Sequence, residues 1–139
     1  MILLDTNVLS ALMLREPDPI VIGWLDAQPP ESIWTTAVTV FEIRFGLEVL
    51  ALGRRRRRLE DAFAQALSED FDGRVLPFDQ AAAEAAATIA ARQRQAGRPV
   101  EIRDVQIAGI AAARKARLAT RNARHFAGLG IALIDPWES

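Results

Sequence analysis

Short apolar runs alternate along the chain with longer segments whose apolar positions recur at helical spacing. Ile2-Leu3-Leu4 reads as a buried strand, after which Asp5-Thr6-Asn7 offers three capping side chains to a helix through Val8 to Leu12. Asp18-Pro19 opens a second short helix with proline at its first position, and Pro29-Pro30 stops it after Gln28. Ser32 to Thr36 favours a strand. Thr39 is placed to cap the next helix, whose apolar positions Val38, Phe41, Phe45, Val49 and Leu52 predict a buried stripe ending at Gly53.

From Arg54 to about Asp70, Leu59, Phe63 and Leu67 recur every four residues, which predicts a charged helix with one apolar stripe packed on its predecessor. Arg74 to Phe78 reads as a strand, and Asp79 stands where an N-cap belongs before the alanine-rich run Ala81 to Ala96, which Gly97-Arg98-Pro99 ends. Asp104 opens a further helix over Val105 to Ala116. Arg117 to Thr120 and Ile131 to Ile134 are strand candidates, the last cut off by Pro136. Short apolar strands alternating with helices imply an α/β fold, a mainly parallel sheet covered by helices on both faces with right-handed crossovers.

Length and composition narrow this picture. A chain of 139 residues without repeats or a Pro-, Gly- or Ser-rich linker fits one domain over residues 1–139. With 17 basic and 18 acidic side chains, nucleic-acid binding has to come from local clustering rather than from net charge. The absence of cysteine excludes a disulfide scaffold and a thiolate metal site, and it fits a reducing compartment. Met1 to Asp5 lacks the basic and long apolar regions of a secretory signal, and no apolar run approaches the roughly 20 residues that span a bilayer. The expectation is a cytoplasmic protein with no membrane segment.

Ligands of open parallel sheets bind beyond the carboxyl ends of the strands, so the polar residues there are the first candidates for chemistry. Asp5 follows the first strand, Glu42 lies in the helix after the second, Asp104 opens a long helix, and Asn122 follows a later strand. Three carboxylates meeting in a cleft repel one another and hold protons unless they share a cation, and a hard divalent ion accepts such oxygens together with substrate phosphate. Each acid also has a structural reading. Asp5 and Asp104 suit helix N-termini, and Glu42 stands three residues after Thr39, at the spacing of a capping box.

The segments Leu4-Asp5-Thr6-Asn7-Val8-Leu9-Ser10, Thr39-Val40-Phe41-Glu42-Ile43-Arg44-Phe45-Gly46, Val75-Leu76-Pro77-Phe78-Asp79 and Ala119-Thr120-Arg121-Asn122 together resemble PIN-domain ribonucleases. The likeness is to the VapC/FitB-like toxins, and Asp104 with Ile107-Ala108 and the ending Ile134-Asp135-Pro136-Trp137 carries it across nearly the whole chain. It implies a PIN-like α/β/α sandwich and an RNase dependent on Mg²⁺ or Mn²⁺. It further implies the toxin of a type II toxin–antitoxin pair, an RNA substrate, a small cognate antitoxin and a homodimer. By motif position Asp5, Glu42 and Asp104 hold the metal.

Where the family often has a fourth acid, this sequence has Asn122 or, three residues on, His125. The Asn122 amide oxygen can ligate or bond a water but adds no charge, so Asn122 joins the catalytic set without joining the metal ligands. His125 reads as an ordinary surface histidine and stays outside the set. The lost charge supports an alternative, a catalytically weak module that binds RNA or antitoxin. An aspartate-nucleophile phosphatase, which also begins with a strand and Asp, requires a second Asp where Asn7 stands. Among the cations, Arg54 to Arg58 cover all sides of a helix and form no stripe. Arg103 and Arg121 are candidates for substrate phosphate, whereas Arg44, two residues from Glu42, points elsewhere.

Overall fold

The computed structural model describes residues 1–138 and contains one sheet of five parallel strands flanked by helices. In chain order these are β1 (Ile2–Leu4), α1 (Thr6–Leu12), α2 (Pro19–Asp26), β2 (Ile33–Thr36), α3 (Ala37–Glu48) and α4 (Arg54–Gln65). There follow β3 (Val75–Leu76), α5 (Gln80–Gln95), α6 (Ile102–Arg114), β4 (Arg117–Ala119), α7 (Ala123–Phe126) and β5 (Leu133–Ile134). The expected α/β fold is present, with strands even shorter than their apolar runs.

The strands lie in the order β3-β2-β1-β4-β5. Ile2 pairs with Ile33 on one side of β1 and with Arg117 on the other, and Leu4 pairs with Ala119. Because the chain winds outward from β1 in one direction and resumes at β4 on the other side, the order reverses between β1 and β4. A crevice opens at the carboxyl ends of strands where such a reversal occurs.

Side-chain alternation divides the core into two layers. Ile2 and Leu4 of β1 face Val8, Leu9, Ile43 and Phe63, while Leu3 between them faces Val105, Ile107, Ile110 and Leu118. Both faces of β1 are therefore buried, as its unbroken apolar run requires.

Several boundaries differ from the sequence expectation. Thr36, not Thr39, is the N-cap of α3, and its hydroxyl accepts from the Thr39 amide at 3.1 Å. The helix ends at Glu48 rather than at Gly53, which instead precedes α4 with φ 157°. The predicted buried stripe on α3 is largely an exposed face. Val38 is buried, but Phe41, Phe45, Val49 and Leu52 are 54–86% exposed, and Ile43 and Leu47 fill the core in their place. Asp104 does not open its helix either. Glu101 is the N-cap of α6, and its carboxylate accepts from the amides of Arg103 and Asp104 at 2.9 and 3.2 Å.

The α5–α6 contact depends on small residues. A Cβ placed on Gly109 would stand 2.5 Å from the Ala82 carbonyl oxygen and 2.6 Å from the Ala86 Cβ. Backbone cannot yield to it as a flexible side chain would. Gly109→Ala is expected to destabilise the protein by about 1–3 kcal/mol, the usual cost of overpacking, despite the better helix propensity of alanine. A thermal melt checks this, and an unchanged or raised Tm would show that the two helices separate freely.

Candidate active site

At the carboxyl end of β1 the chain turns directly into α1, with Asp5 as the pivot. One carboxylate oxygen caps the helix by accepting from the Thr6 amide at 2.8 Å. The other accepts from the Thr120 hydroxyl, also at 2.8 Å. Thr120 follows β4, so this bond spans the crevice between the two central strands. The Asp5 amide donates to the Ala119 carbonyl at 2.9 Å and fixes the backbone on the same side. Asp5 is thus a cap and a crevice residue at once, and its two sequence readings do not compete.

Glu42 enters from α3. Its Oε1 accepts from the Thr6 hydroxyl at 2.9 Å, and its Oε2 lies 3.7 Å from the Arg103 guanidinium. With Thr36 as the cap, Glu42 stands six residues into the helix, too far for a capping box, so its helix-start reading falls away. The Thr39 hydroxyl lies 3.2 Å from that of Thr6 and 3.3 Å from that of Thr36, linking the cap of α3 to the residue beside Asp5.

Asp104 is the third acid, three residues into α6 after the Glu101 cap. Burial first, then the negative charges of Asp5 and Glu101, push its carboxyl up from about 3.8 to about 6, with a smaller push from Glu42. Burial also raises Asp5, against the lowering hydrogen bonds from Thr120 and Thr6. Glu42 is raised by burial, against Thr6 and Arg103. The three acids predicted from sequence therefore share one electrostatic neighbourhood, joined by Glu101, which the sequence reading did not include. A Glu three residues before an Asp at a helix start was the available signal.

Asn122 is exposed, and its side chain forms no hydrogen bond among the described residues. Its amide donates to the Thr120 hydroxyl at 3.0 Å, which helps to aim that hydroxyl at Asp5. His125, left outside the set on sequence grounds, lies with Nδ1 3.8 Å from an Asp104 oxygen. Asn7 holds the loop from below, its Oδ1 accepting from the Arg121 amide at 3.1 Å. Arg103 is engaged by Glu42 and Glu101, and Arg121 covers the Trp137 ring at 4.7 Å. Neither of these arginines is a free phosphate clamp.

The donor set suits a hard divalent cation, being three carboxylates raised by burial, Glu42 and Asp104 also by the charge of Asp5, with hydroxyls behind them. Among the described residues no three acid or histidine side chains already stand close enough to close a shell around an ion.

Comparison with known proteins places this geometry in context. The family model for the PIN domain matches residues 2–130. The VapC ribonuclease Y4jK of Sinorhizobium fredii is 42% identical over 142 residues, covering 99% of each chain. The crystal structure of FitAcB from Neisseria gonorrhoeae superposes with a TM-score of 0.91 at 34% identity over 100% of both chains. VapBC-5 from Mycobacterium tuberculosis, a member of the VapBC family of toxin-antitoxin systems, gives 0.71 at 27% identity over 95% of each chain.

The acid cluster sets a pH dependence. Because the Asp104 carboxyl is raised in the folded state from about 3.8 to about 6, the native protein binds more protons than the unfolded chain between those values. The contribution of Asp104 to stability without metal is therefore fully present below about pH 4 and is lost as pH rises through 6. In Asp104→Asn that component of the decline disappears. Melts in chelator from pH 4 to 8 measure it, and parallel profiles for the two proteins would disprove the coupling.

Proposed function

The chain belongs to the PIN-domain family, and from that membership we propose that it is a divalent-metal-dependent ribonuclease acting as the toxin of a type II toxin–antitoxin pair. The observation that carries the reading is the meeting of Asp5, Glu42 and Asp104 at the strand-order reversal, where each carboxyl is raised by burial and Asp104 is raised further by the charges of Asp5 and Glu101. Such a cluster is costly for a purely structural site and useful for a cation site.

In this reading Asp5, Glu42 and Asp104 hold Mg²⁺ or Mn²⁺, which supplies charge neutralisation and Lewis acidity for phosphodiester hydrolysis. The chain's own residues prepare the place. Thr120 and the Thr6 amide hold both Asp5 oxygens, the Thr6 hydroxyl aims Glu42, and Arg103 partly offsets the effect of burial on Glu42 while leaving the acids outnumbering the cations. In hydrolysis a water oxygen bonds to phosphorus, one phosphorus–ribose oxygen bond breaks, and the departing oxygen takes up a proton.

The proposed partners are RNA as substrate, a small cognate antitoxin and a second copy of the chain, with the cytoplasm as compartment. Support for a protein partner comes from α3, where the stacked rings of Phe41 and Phe45, 6.1 Å apart, lie exposed beside Val49 and Leu52. No helix among the described residues is long and apolar enough to cross a membrane. The alternative of a binding module that cleaves poorly draws on the exposed, neutral Asn122 at the fourth position, and cleavage assays separate the two.

Defined RNAs incubated with Mg²⁺ or Mn²⁺ are expected to be cut by the wild type and not by Asp5→Ala, and overproduction should arrest growth only with the wild type. Circular dichroism of Asp5→Ala must match the wild type for the comparison to count. Equal toxicity of the two proteins would rule out the catalytic reading. A second expectation concerns the residue behind the site. Thr120→Val removes the hydroxyl from Asp5 while nearly keeping its shape, and Mn²⁺ affinity should fall about 10- to 100-fold, as for other residues that orient a metal ligand. Calorimetric titration measures it, and an unchanged affinity would show that Thr120 does not orient a metal ligand.

A further inference from the structure

Asp104 and Glu101 of the acid cluster, with His125 beside them, form one wall of a neighbouring cleft. It has a volume of about 330 Å³ and lies between the start of α6 and the segment around α7, bordered also by Gln93, Arg98, Val100, Arg124 and Leu129. That volume is at the small end of ligand pockets.

Three properties of the cleft point to one kind of occupant. Its floor includes apolar side chains, among them Val100 and Leu129. Gln93 on α5 is 8% exposed, and its Nε2 donates to the Gly128 carbonyl at 3.3 Å. The second amide hydrogen and the amide oxygen have no partner among the described residues, and since no buried side-chain polar atom is left unpaired, the free part of the amide is the part that reaches the cleft. Finally, Arg98 and Arg124 form no side-chain hydrogen bond or ion pair among the described residues, unlike Arg44, Arg56, Arg103 and Arg114, which each face an acid.

The loop holding Arg98 is built rather than loose. Gly97 has φ +73°, and the Arg98 amide donates to the Gln93 carbonyl at 2.8 Å, closing the end of α5 with a left-handed residue. The same turn thus fixes both the buried amide and the free cation at the cleft.

We propose that this cleft is the subsite for the nucleotide adjoining the scissile phosphate, with the base on the Val100–Leu129 floor, its edge read by the Gln93 amide, and its phosphate held by Arg98 and Arg124. The assignment rests on the ribonuclease reading of the acid cluster. Single-stranded RNA is recognised in this manner, by an apolar platform, hydrogen bonds to the base edge and cations on the backbone. A base that offers a donor beside an acceptor matches the amide, as adenine does with glutamine. An acidic peptide would use the arginines but leave the buried amide and the apolar floor without a complementary group.

The test measures binding apart from cleavage. In the Asp5→Ala background, fluorescence anisotropy with short single-stranded RNAs of varied sequence compares the parent with Arg98→Ala, Arg124→Ala and Gln93→Met. Each arginine variant is expected to weaken all RNAs roughly tenfold, the worth of one charge-assisted hydrogen bond, and to reduce the salt slope by about 0.7. Gln93→Met should instead level the preference among bases, and sequencing of ends cut by the same variant with Asp5 intact should show that levelling beside the cut.

Unchanged RNA affinity in both arginine variants would overturn the subsite, even where the wild type cleaves normally. Because both arginines are exposed, that result does not depend on Gln93→Met folding. Equal binding of polyglutamate and RNA, insensitive to base, would make the cleft an acidic-peptide site and also overturn it. Loss of affinity in the variants of a protein that cuts no RNA would uphold nucleotide binding at the cleft but overturn its place beside a scissile phosphate, together with the catalytic reading.

Discussion

Repulsion among carboxylates in one partly buried crevice is the constraint around which this molecule is arranged. Asp5, Glu42 and the pair Glu101 and Asp104 come from three different places in the sequence, and Asp104 feels the charges of the other three acids. The fold opposes the repulsion with fixed donors rather than with equal positive charge. Thr6 and Thr120 bind the acids, Arg103 stands by Glu42, and the amides of α1 and α6 satisfy Asp5 and Glu101. The crevice remains net acidic, which is the condition in which a divalent cation stabilises both site and fold.

Much of this was legible in the sequence because strand ends announce themselves. The apolar run Ile2 to Leu4 and the polar residue straight after it locate Asp5, whereas Thr120 read as the end of a strand and only Asn122 beyond it was singled out. The position of Glu42 was legible only by motif, since the wrong cap made it look like a capping-box acid. Thr36 and Thr39 are both plausible caps, and the choice depends on where β2 stops pairing with β3, a long-range fact. The approach of the exposed His125 to Asp104 was not legible for the same reason, since it arises from where α7 meets the crevice. Glu101 did leave a local trace, a Glu three residues before Asp104 at a helix start.

The misplaced stripe on α3 has a different origin. Val38, Val40, Phe41, Ile43, Phe45 and Leu47 surround the helix with apolar groups, so periodicity alone offers two faces that could be buried. The sheet and α1 take the one bearing Ile43 and Leu47, leaving the phenylalanines outside. The arginine run was similarly undecidable from sequence. Arg56 is only 14% exposed in its side chain and joins Glu48, Glu60 and the carbonyls of Glu48 and Leu50, while Arg58 reaches the Met13 carbonyl. Part of the run therefore secures the corner between α3 and α4. As a network with a mostly buried member it holds geometry better than isolated surface pairs do.

The two faces of α3 connect the outside of the molecule to its crevice. Successive residues on a helix are separated by about 100°, so Phe41 and Glu42 point to different sides while sharing one rigid backbone. A partner covering Phe41 and Phe45 would lie alongside the helix that presents Glu42, within reach of Arg103 and Glu101 at the start of α6. Such a partner has two ways to alter the site, by laying a cation of its own beside the uncompensated acids or by shifting α3 against Thr6. The first requires no change in the fold and gains from the net negative charge that the crevice already carries. The second works against the Thr6–Glu42 bond and the buried contacts of Ile43 and Leu47. Charge supplied from outside is therefore the easier route to silencing this site.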